Sequence, residues 1–406
     1  MPYYIGDIIK SHEKLIRRTP EDFTRQGTPI ITQSKAVEIN SQKKQILFEN
    51  QSSQDLWTEE YDCLIIATGA RPLLPSVEGL GLKGIFPLRN IEHSQAIKAY
   101  IQNYQPRHAV VVGAGYIGLE MVENLLLYGC QVKIIEKAPH ILPNMDPDLA
   151  DHVHSYMQSK GIEILTDSSV TAFKGPEQVK EVVAGKGIFP ADIVILAMGV
   201  LPNSGIAAQT GIALGAGGAI RVNERMETSQ PDIYAAGDCA TVKHLVSGQE
   251  VYIPMGTTAN KQGRVAGENA AGGNTTLKGV LGTGISRIME LEVARTGLSE
   301  HECQILGIEY ISQTIKSVTR APYLPDSGSI YVKLIVEKTS HRLLGGQIVG
   351  YAGAGKRIDT IATALHTGSK IEDLYDLDLA YSPAFSILTD PVVIAINQFR
   401  SVMGGV

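Results

Sequence analysis

Between His108 and Glu136 the chain runs through a short apolar stretch, His108-Ala-Val-Val-Val112, and a glycine turn, Gly113-Ala-Gly115-Tyr116-Ile117-Gly118. A helix-periodic segment with Ile117, Met121 and Leu125 on one face follows, then a stopping Gly129 and a second apolar run, Gln131-Val-Lys-Ile-Ile135, that ends in an acid. A buried strand, a tight turn, a returning helix and a second buried strand make a βαβ unit, and a βαβ unit requires parallel strands. A lone G-x-G-x-x-G carries little weight; here the strand, the helix and the terminal acid accompany it. The residue types suit a dinucleotide: Gly113 permits the turn, Gly115 lets backbone approach a pyrophosphate, Gly118 lets helix pack on strand, and the helix N-terminus offers N–H groups to the phosphates. Glu136 lies 23 positions after Gly113, where it would accept from the adenosine ribose hydroxyls and repel a 2′-phosphate. That favours NADH, while the neighbouring Lys137 keeps NADPH open.

At 406 residues the chain exceeds what one core usually supports, so two or three domains are expected. A formal charge of −6 leaves no electrostatic footprint for nucleic acid or an anionic membrane surface, and a small-molecule substrate is favoured. Glu120 and Glu123 interrupt the best apolar stretch well short of the roughly 20 residues that span a bilayer, so a soluble, cytoplasmic protein is expected. Cys63, Cys130, Cys239 and Cys303 form no CxxC and no metal-ligand cluster; they read as reduced and structural, with no metal site.

Two segments repeat one phrase, Tyr61-Asp-Cys-Leu-Ile-Ile-Ala67-Thr68-Gly69-Ala-Arg-Pro72 and Ala191-Asp-Ile-Val-Ile-Leu-Ala-Met-Gly199-Val-Leu-Pro-Asn203. Each is an acid, a buried apolar strand and a glycine turn ending in proline, which suggests two related doubly wound domains, one inserted in the other. Gly113 precedes Gly199 by 86 positions, and the same offset from Gly69 falls at −17, so the first domain's own phosphate turn is expected upstream of Met1. Thr228-Ser-Gln-Pro-Asp-Ile-Tyr-Ala-Ala-Gly237-Asp238 adds a strand ending where a carboxylate can hold a polyol chain.

These phrases resemble the two-dinucleotide flavoprotein disulfide reductases, the pyridine nucleotide-disulfide oxidoreductases, over essentially the whole chain, and within them the coenzyme A-disulfide reductase and NADH oxidase branch. The resemblance implies an α/β fold of two Rossmann-like FAD/NAD(P)-binding domains, the first truncated, plus a C-terminal α+β dimerisation domain. The expected boundaries are 1–95 and 204–295 for FAD, 96–203 for NAD(P), and 296–406 for a homodimer contact. In the last of these, Ser329 to Val336 alternates as a half-buried strand, Leu343 to Gly350 is its hairpin partner, and Lys356 to His366 is a helix.

By resemblance, Asp238 bonds the FAD ribityl chain, Ala67, Thr68 and Gly69 form the flavin-side turn, and Arg89 contacts FAD. Met255, Gly256 and Thr257 lie along the flavin ring, while Tyr116 and Glu120 line the nicotinamide pocket. The implied cofactor set is therefore Ala67, Thr68, Gly69, Arg89, Gly113, Gly115, Tyr116, Ile117, Gly118, Glu136, Gly199, Gly237, Asp238, Met255, Gly256 and Thr257. Tyr323 and Tyr381 resemble tyrosines that reach the partner subunit's active site, so Tyr323, Tyr381 and Glu120 form the catalytic set. The implied reaction uses NADH to reduce FAD, and through it a low-molecular-weight disulfide such as coenzyme A disulfide or a persulfide. The alternatives are an NADH oxidase with dioxygen as acceptor and a non-catalytic NAD-binding pseudoenzyme.

The resemblance breaks at the start. In this branch a Cys-Gly pair bearing the redox sulfur precedes Leu-Pro-Tyr-Tyr-Ile-Gly; here Met1-Pro-Tyr-Tyr-Ile-Gly6 opens the chain. The expectation is that the redox cysteine and the first FAD βαβ unit lie outside this sequence, through a late start codon, a fragment or a degenerate gene. The 406-residue chain is then expected to be colourless and inactive.

Overall fold

The computed structural model describes residues 1–185 and 187–403. The chain divides into two compact units, one of Met1–Ile8, Leu73–Gly199 and Leu281–Val406, the other of Ile9–Pro72 and Val200–Val280.

In the first unit a five-stranded parallel sheet has the order Ile85–Pro87, Ile193–Leu196, His108–Val112, Gln131–Ile135, Glu163–Leu165. The helices Ile91–Tyr104, Tyr116–Leu127 and Pro147–Ser159 alternate with these strands. Burial from both sides explains why Ala109 to Val112 reads as an unbroken apolar run. The two strands read from the sequence have the bounds expected. The helix face differs: Met121 and Leu125 are fully buried with Leu119 and Val122, whereas Ile117 is 40% exposed. Ile117 sits in the first turn of the helix, directly after the glycine turn. Pro2–Ile5 forms one short helical turn whose Ile5 is fully buried, and the Tyr128 hydroxyl donates to the Ile5 carbonyl at 2.8 Å.

The rest of this unit is a five-stranded antiparallel sheet, ordered Gly284–Ile288, Leu291–Gly297, Leu343–Gly350, Ser329–Glu337, Tyr310–Val318, with the helices Ala354–Thr367 and Pro391–Val402. The strand expected to be half-buried is buried at every residue from Val332 to Val336. Both faces are covered. Leu334 shares an apolar pocket with Ile361 and Val392. On the opposite face the His152 ring of the Pro147–Ser159 helix stacks 3.6 Å from Tyr331, where the alternation had led us to expect solvent.

Beside that stack lies a buried ionic knot. Lys333, 3% exposed, is 2.8 Å from Asp148, 3.0 Å from Glu300 and 3.2 Å from Asp146. Gln347 donates a further bond to Asp146 at 2.8 Å. Burial pushes the Asp146 carboxyl above its ordinary range, only partly opposed by Lys333.

The second unit holds a three-stranded antiparallel sheet, Ser34–Asn40, Gln45–Asn50 and Leu56–Glu60, and the helix Gly256–Ala270. Leu64–Ile66 pairs in parallel with Ile233–Ala235 as a two-stranded sheet. The sequence led us to expect a buried strand opened by Cys63. Instead Cys63 is exposed, Ile65 is 37% exposed, and Ile66 alone of the strand is buried. With one partner strand, only the Ile66 side of the pleat packs, against a cluster that includes Ile39, Ile220 and Ile233. The tails of the repeated phrase pair with each other, Ala70–Pro72 running antiparallel to Val200–Pro202.

Candidate functional site

The turn after His108–Val112 depends on its glycines. Gly113 has φ +101°, and a Cβ there would collide with the Ala197 carbonyl. A Cβ on Gly118 would fall inside the Gly113 carbonyl oxygen, so helix and turn are in contact only because residue 118 is glycine. At Gly115 nothing lies within 4 Å of a notional Cβ, and the helix that begins there has no side-chain cap. Its first N–H groups therefore have no side-chain acceptor, and an anion placed there would satisfy them. Glu136 is buried; its Oε2 accepts from the Ala114 N–H at 2.6 Å and its Oε1 from the Ala138 N–H at 2.7 Å. Two bonds orient the carboxylate and leave lone pairs for a ribose diol. These features fit a dinucleotide, and Lys137 is exposed beside them.

Tyr116 and Glu120 follow on the same helix. The Tyr116 hydroxyl is buried, and burial raises its phenol above the ordinary value despite nearby Arg295 and Asn144. Glu120 is half-buried and accepts from the Ser286 hydroxyl at 2.6 Å. Arg89, half-buried, precedes Asn90, whose side chain caps the Ile91–Tyr104 helix by accepting from the His93 N–H at 2.9 Å.

In the second unit the parallel pair aligns Ile66 with Ala235, so Ala67–Gly69 and Gly237–Asp238 emerge at one end. Gly69 and Gly237 both have positive φ, +66° and +83°. Gln262 of the Gly256–Ala270 helix accepts from the Gly237 N–H at 2.9 Å, which ties the Gly237 turn to the helix that starts at Met255, Gly256 and Thr257. That helix too lacks a side-chain cap. These residues fit the ribityl side of a flavin dinucleotide. Among the described residues of this unit no second glycine-rich strand–turn–helix occurs.

Sequence reasoning missed two residues here. Asn203 clasps the Ala67–Gly69 turn: its side chain donates to the Thr68 carbonyl at 2.9 Å, its N–H to the Gly69 carbonyl at 2.9 Å, and its carbonyl accepts from the Thr68 hydroxyl at 2.6 Å. Gln262 is fully buried and joins Gly237 to the Thr241 carbonyl. Asn203 stands inside a quoted phrase, where an amide after a glycine turn was the available signal; Gln262 lies within the Gly256–Ala270 helix, where no local signal marks it. Gly199, exposed with φ +100°, ends the inserted segment at the Leu73 N–H, 3.0 Å from its carbonyl.

Tyr323 and Tyr381 are 75% and 50% exposed, on loops joined by the Ala321 N–H donating to the Pro383 carbonyl at 3.1 Å. Three of the four cysteines are poorly suited to redox work. Burial pushes the Cys130 thiol up to about 11 and Cys303 to about 12, and Cys239 is fully buried with its Sγ on the Ile66 and Ala236 carbonyls. Cys63 is exposed, on the second unit. No helix of the described residues is long and apolar enough to cross a membrane, and no group of three His, Cys, Asp or Glu among them could hold a metal.

Residues 7–263 match the family described as pyridine nucleotide-disulphide oxidoreductase, and residues 286–391 match the dimerisation domain of the same name. An NADH oxidase of Methanocaldococcus jannaschii is 36% identical over 98% of this chain and 89% of its own length. An NAD(P)H coenzyme A polysulfide/persulfide reductase of Pyrococcus horikoshii is 34% identical over 98% of this chain and 88% of its own. The crystal structure of reduced Bacillus anthracis CoADR-RHD superposes with a TM-score of 0.95 at 38% identity, covering 100% of this chain and 73% of that one.

Proposed function

The chain belongs to the pyridine nucleotide-disulphide oxidoreductases, FAD-dependent NAD(P)H oxidoreductases, and on that premise we propose that its acceptor is a low-molecular-weight disulfide or persulfide of the coenzyme A class. The net reaction consumes NADH and a proton and returns NAD⁺ and two thiols from one disulfide. FAD, when bound, supplies the two-electron relay between nicotinamide and acceptor. We assign residues 96–203 to nicotinamide binding, 1–95 and 204–295 to the flavin, and 296–406 to a homodimer contact that carries Tyr323 and Tyr381 toward the substrate. The protein's own part is to bind and orient: Gly113, Gly115 and Gly118 admit the pyrophosphate, Glu136 takes the ribose hydroxyls, Tyr116 and Glu120 border the nicotinamide, and Asp238 holds the ribityl side.

The observation that carries the reading is the open, uncapped glycine turn with an oriented, buried Glu136. Glu136→Ala is expected to weaken NADH binding about tenfold, the worth of one charge-assisted bond, and to erase preference over NADPH in titration calorimetry. Unchanged selectivity would remove Glu136 from the site.

A second reading, dioxygen as acceptor, is favoured by the M. jannaschii relative's name. Stopped-flow oxidation of the NADH-reduced protein by coenzyme A disulfide and by air-saturated buffer separates the two. Oxidation by air alone would sink the disulfide reading.

A further inference from the structure

The Arg357 guanidinium is fully buried near the start of the Ala354–Thr367 helix. Its Nε donates to both Asp390 oxygens at 3.0 and 3.1 Å, and its Nη2 donates to the Thr319 carbonyl at 3.3 Å and the Ser386 hydroxyl at 3.2 Å. Ser386 donates to Asp390 at 2.8 Å, and Asp390 accepts the Val392 N–H at 3.0 Å as cap of the last helix. Thr319 and Ser386 are the inner anchors of two loops. The first closes on itself, Thr319 N–H to the Gly328 carbonyl at 2.8 Å and Ser327 hydroxyl to the Arg320 carbonyl at 3.0 Å, and presents Tyr323. The second carries Tyr381, and with it Phe385 and Leu388, 73% and 79% exposed.

Large side chains held out to solvent on ordered loops call for a reason. A buried Arg–Asp pair contributes little net stability over an apolar pair of the same volume, and its best-attested use is to fix one conformation. Its geometry here is directional, because one planar fork reaches two loops and its own helix at once.

We propose that Arg357 is a positioning residue: its fork, spanning the Thr319 carbonyl, Ser386 and Asp390, couples the two loops so that Tyr323 and Tyr381 are presented to substrate as one ordered surface. This rests on the reading that the two tyrosines face the disulfide. Arg357→Lys keeps the charge and loses the fork; Ser386→Ala removes one arm and leaves no charge unpaired. By hydrogen exchange on the protein as it stands, the Ala321 amide, which bridges the loops, is expected to exchange at least tenfold faster in Arg357→Lys and several-fold faster in Ser386→Ala. Amides of Ser329–Glu337 and Leu343–Gly350 are expected to keep wild-type rates. Uniform acceleration through those strands, or an unchanged Ala321 in the variants that fold, overturns the proposal. Calorimetric titration with coenzyme A disulfide is a separate arm: Arg357→Lys should weaken binding about tenfold with NADH binding unaltered. Wild type failing to bind the disulfide counts against the substrate reading, and the exchange result still decides the coupling.

Discussion

Gly115→Ala is expected to lower NADH affinity at least about a hundredfold, about 2.7 kcal/mol, while leaving the thermal midpoint within a degree of wild type. Gly118→Ala is expected to lose both. The contrast follows from what each methyl would meet. At 115 it enters space empty to 4 Å, the space into which the uncapped helix N-terminus points, so the folded protein tolerates it and the pyrophosphate does not. At 118 it would overlap the Gly113 carbonyl and crowd Val111, so the helix must lift off the strand before any ligand arrives. Differential scanning calorimetry and NADH titration on the same preparations check both. Equal destabilisation by the two substitutions would mean that the opening at Gly115 is no ligand site.

Lys333→Met is the second large effect, a loss of about 3–5 kcal/mol, the usual result of removing one partner from a buried ion pair. Asp146, 1% exposed, would keep its charge with only Gln347 and a backbone N–H for company. Its carboxyl already lies above the ordinary range through burial and would rise further. A carboxyl raised in the folded state penalises folding fully above its folded pKa, and the penalty fades as pH falls through that value. The variant's urea midpoint should therefore rise as pH drops from neutral toward the unfolded carboxyl value of about 3.9. Wild type should rise less, because Lys333 there partly opposes the upward push of burial on Asp146. In both proteins Asp390 and Glu302 are pushed up by burial and held low by arginine and hydrogen bonds that outweigh it, so their contributions are lost as pH falls through their folded values. Parallel slopes in variant and wild type would refute the account of Lys333, and Asp146→Asn in the same background should recover most of the loss.

The contrast between these two regions marks what the sequence made legible. His108–Val112 and Gln131–Ile135 are short, mostly apolar runs close to glycines, a pattern that a strand buried on both faces produces and that needs no knowledge of neighbours. Leu343–Gly350 was equally plain. The Lys333 knot was not, because a lysine in a strand reads as a solvent-facing position until the helix bearing Asp148 is known to lie over it. Arg357 was hidden for the same reason: its partners lie 38 positions before it, at Thr319, and 29 and 33 after it, at Ser386 and Asp390. Cys63 and Ile65 show the converse, an apolar phrase that promised burial and received one partner strand. For the candidate site, glycine spacing and Glu136 were readable locally, whereas Asn203 and Gln262 act on backbone far from them in sequence.

The ribbon formed by Ala70–Pro72 and Val200–Pro202 bears on how such a chain could arise. The 127 residues from Leu73 to Gly199 begin and end one hydrogen bond apart, so the chain leaves the second unit and returns to it at a single point. Closure there demands little extra loop entropy, and neither neighbour's register has to change.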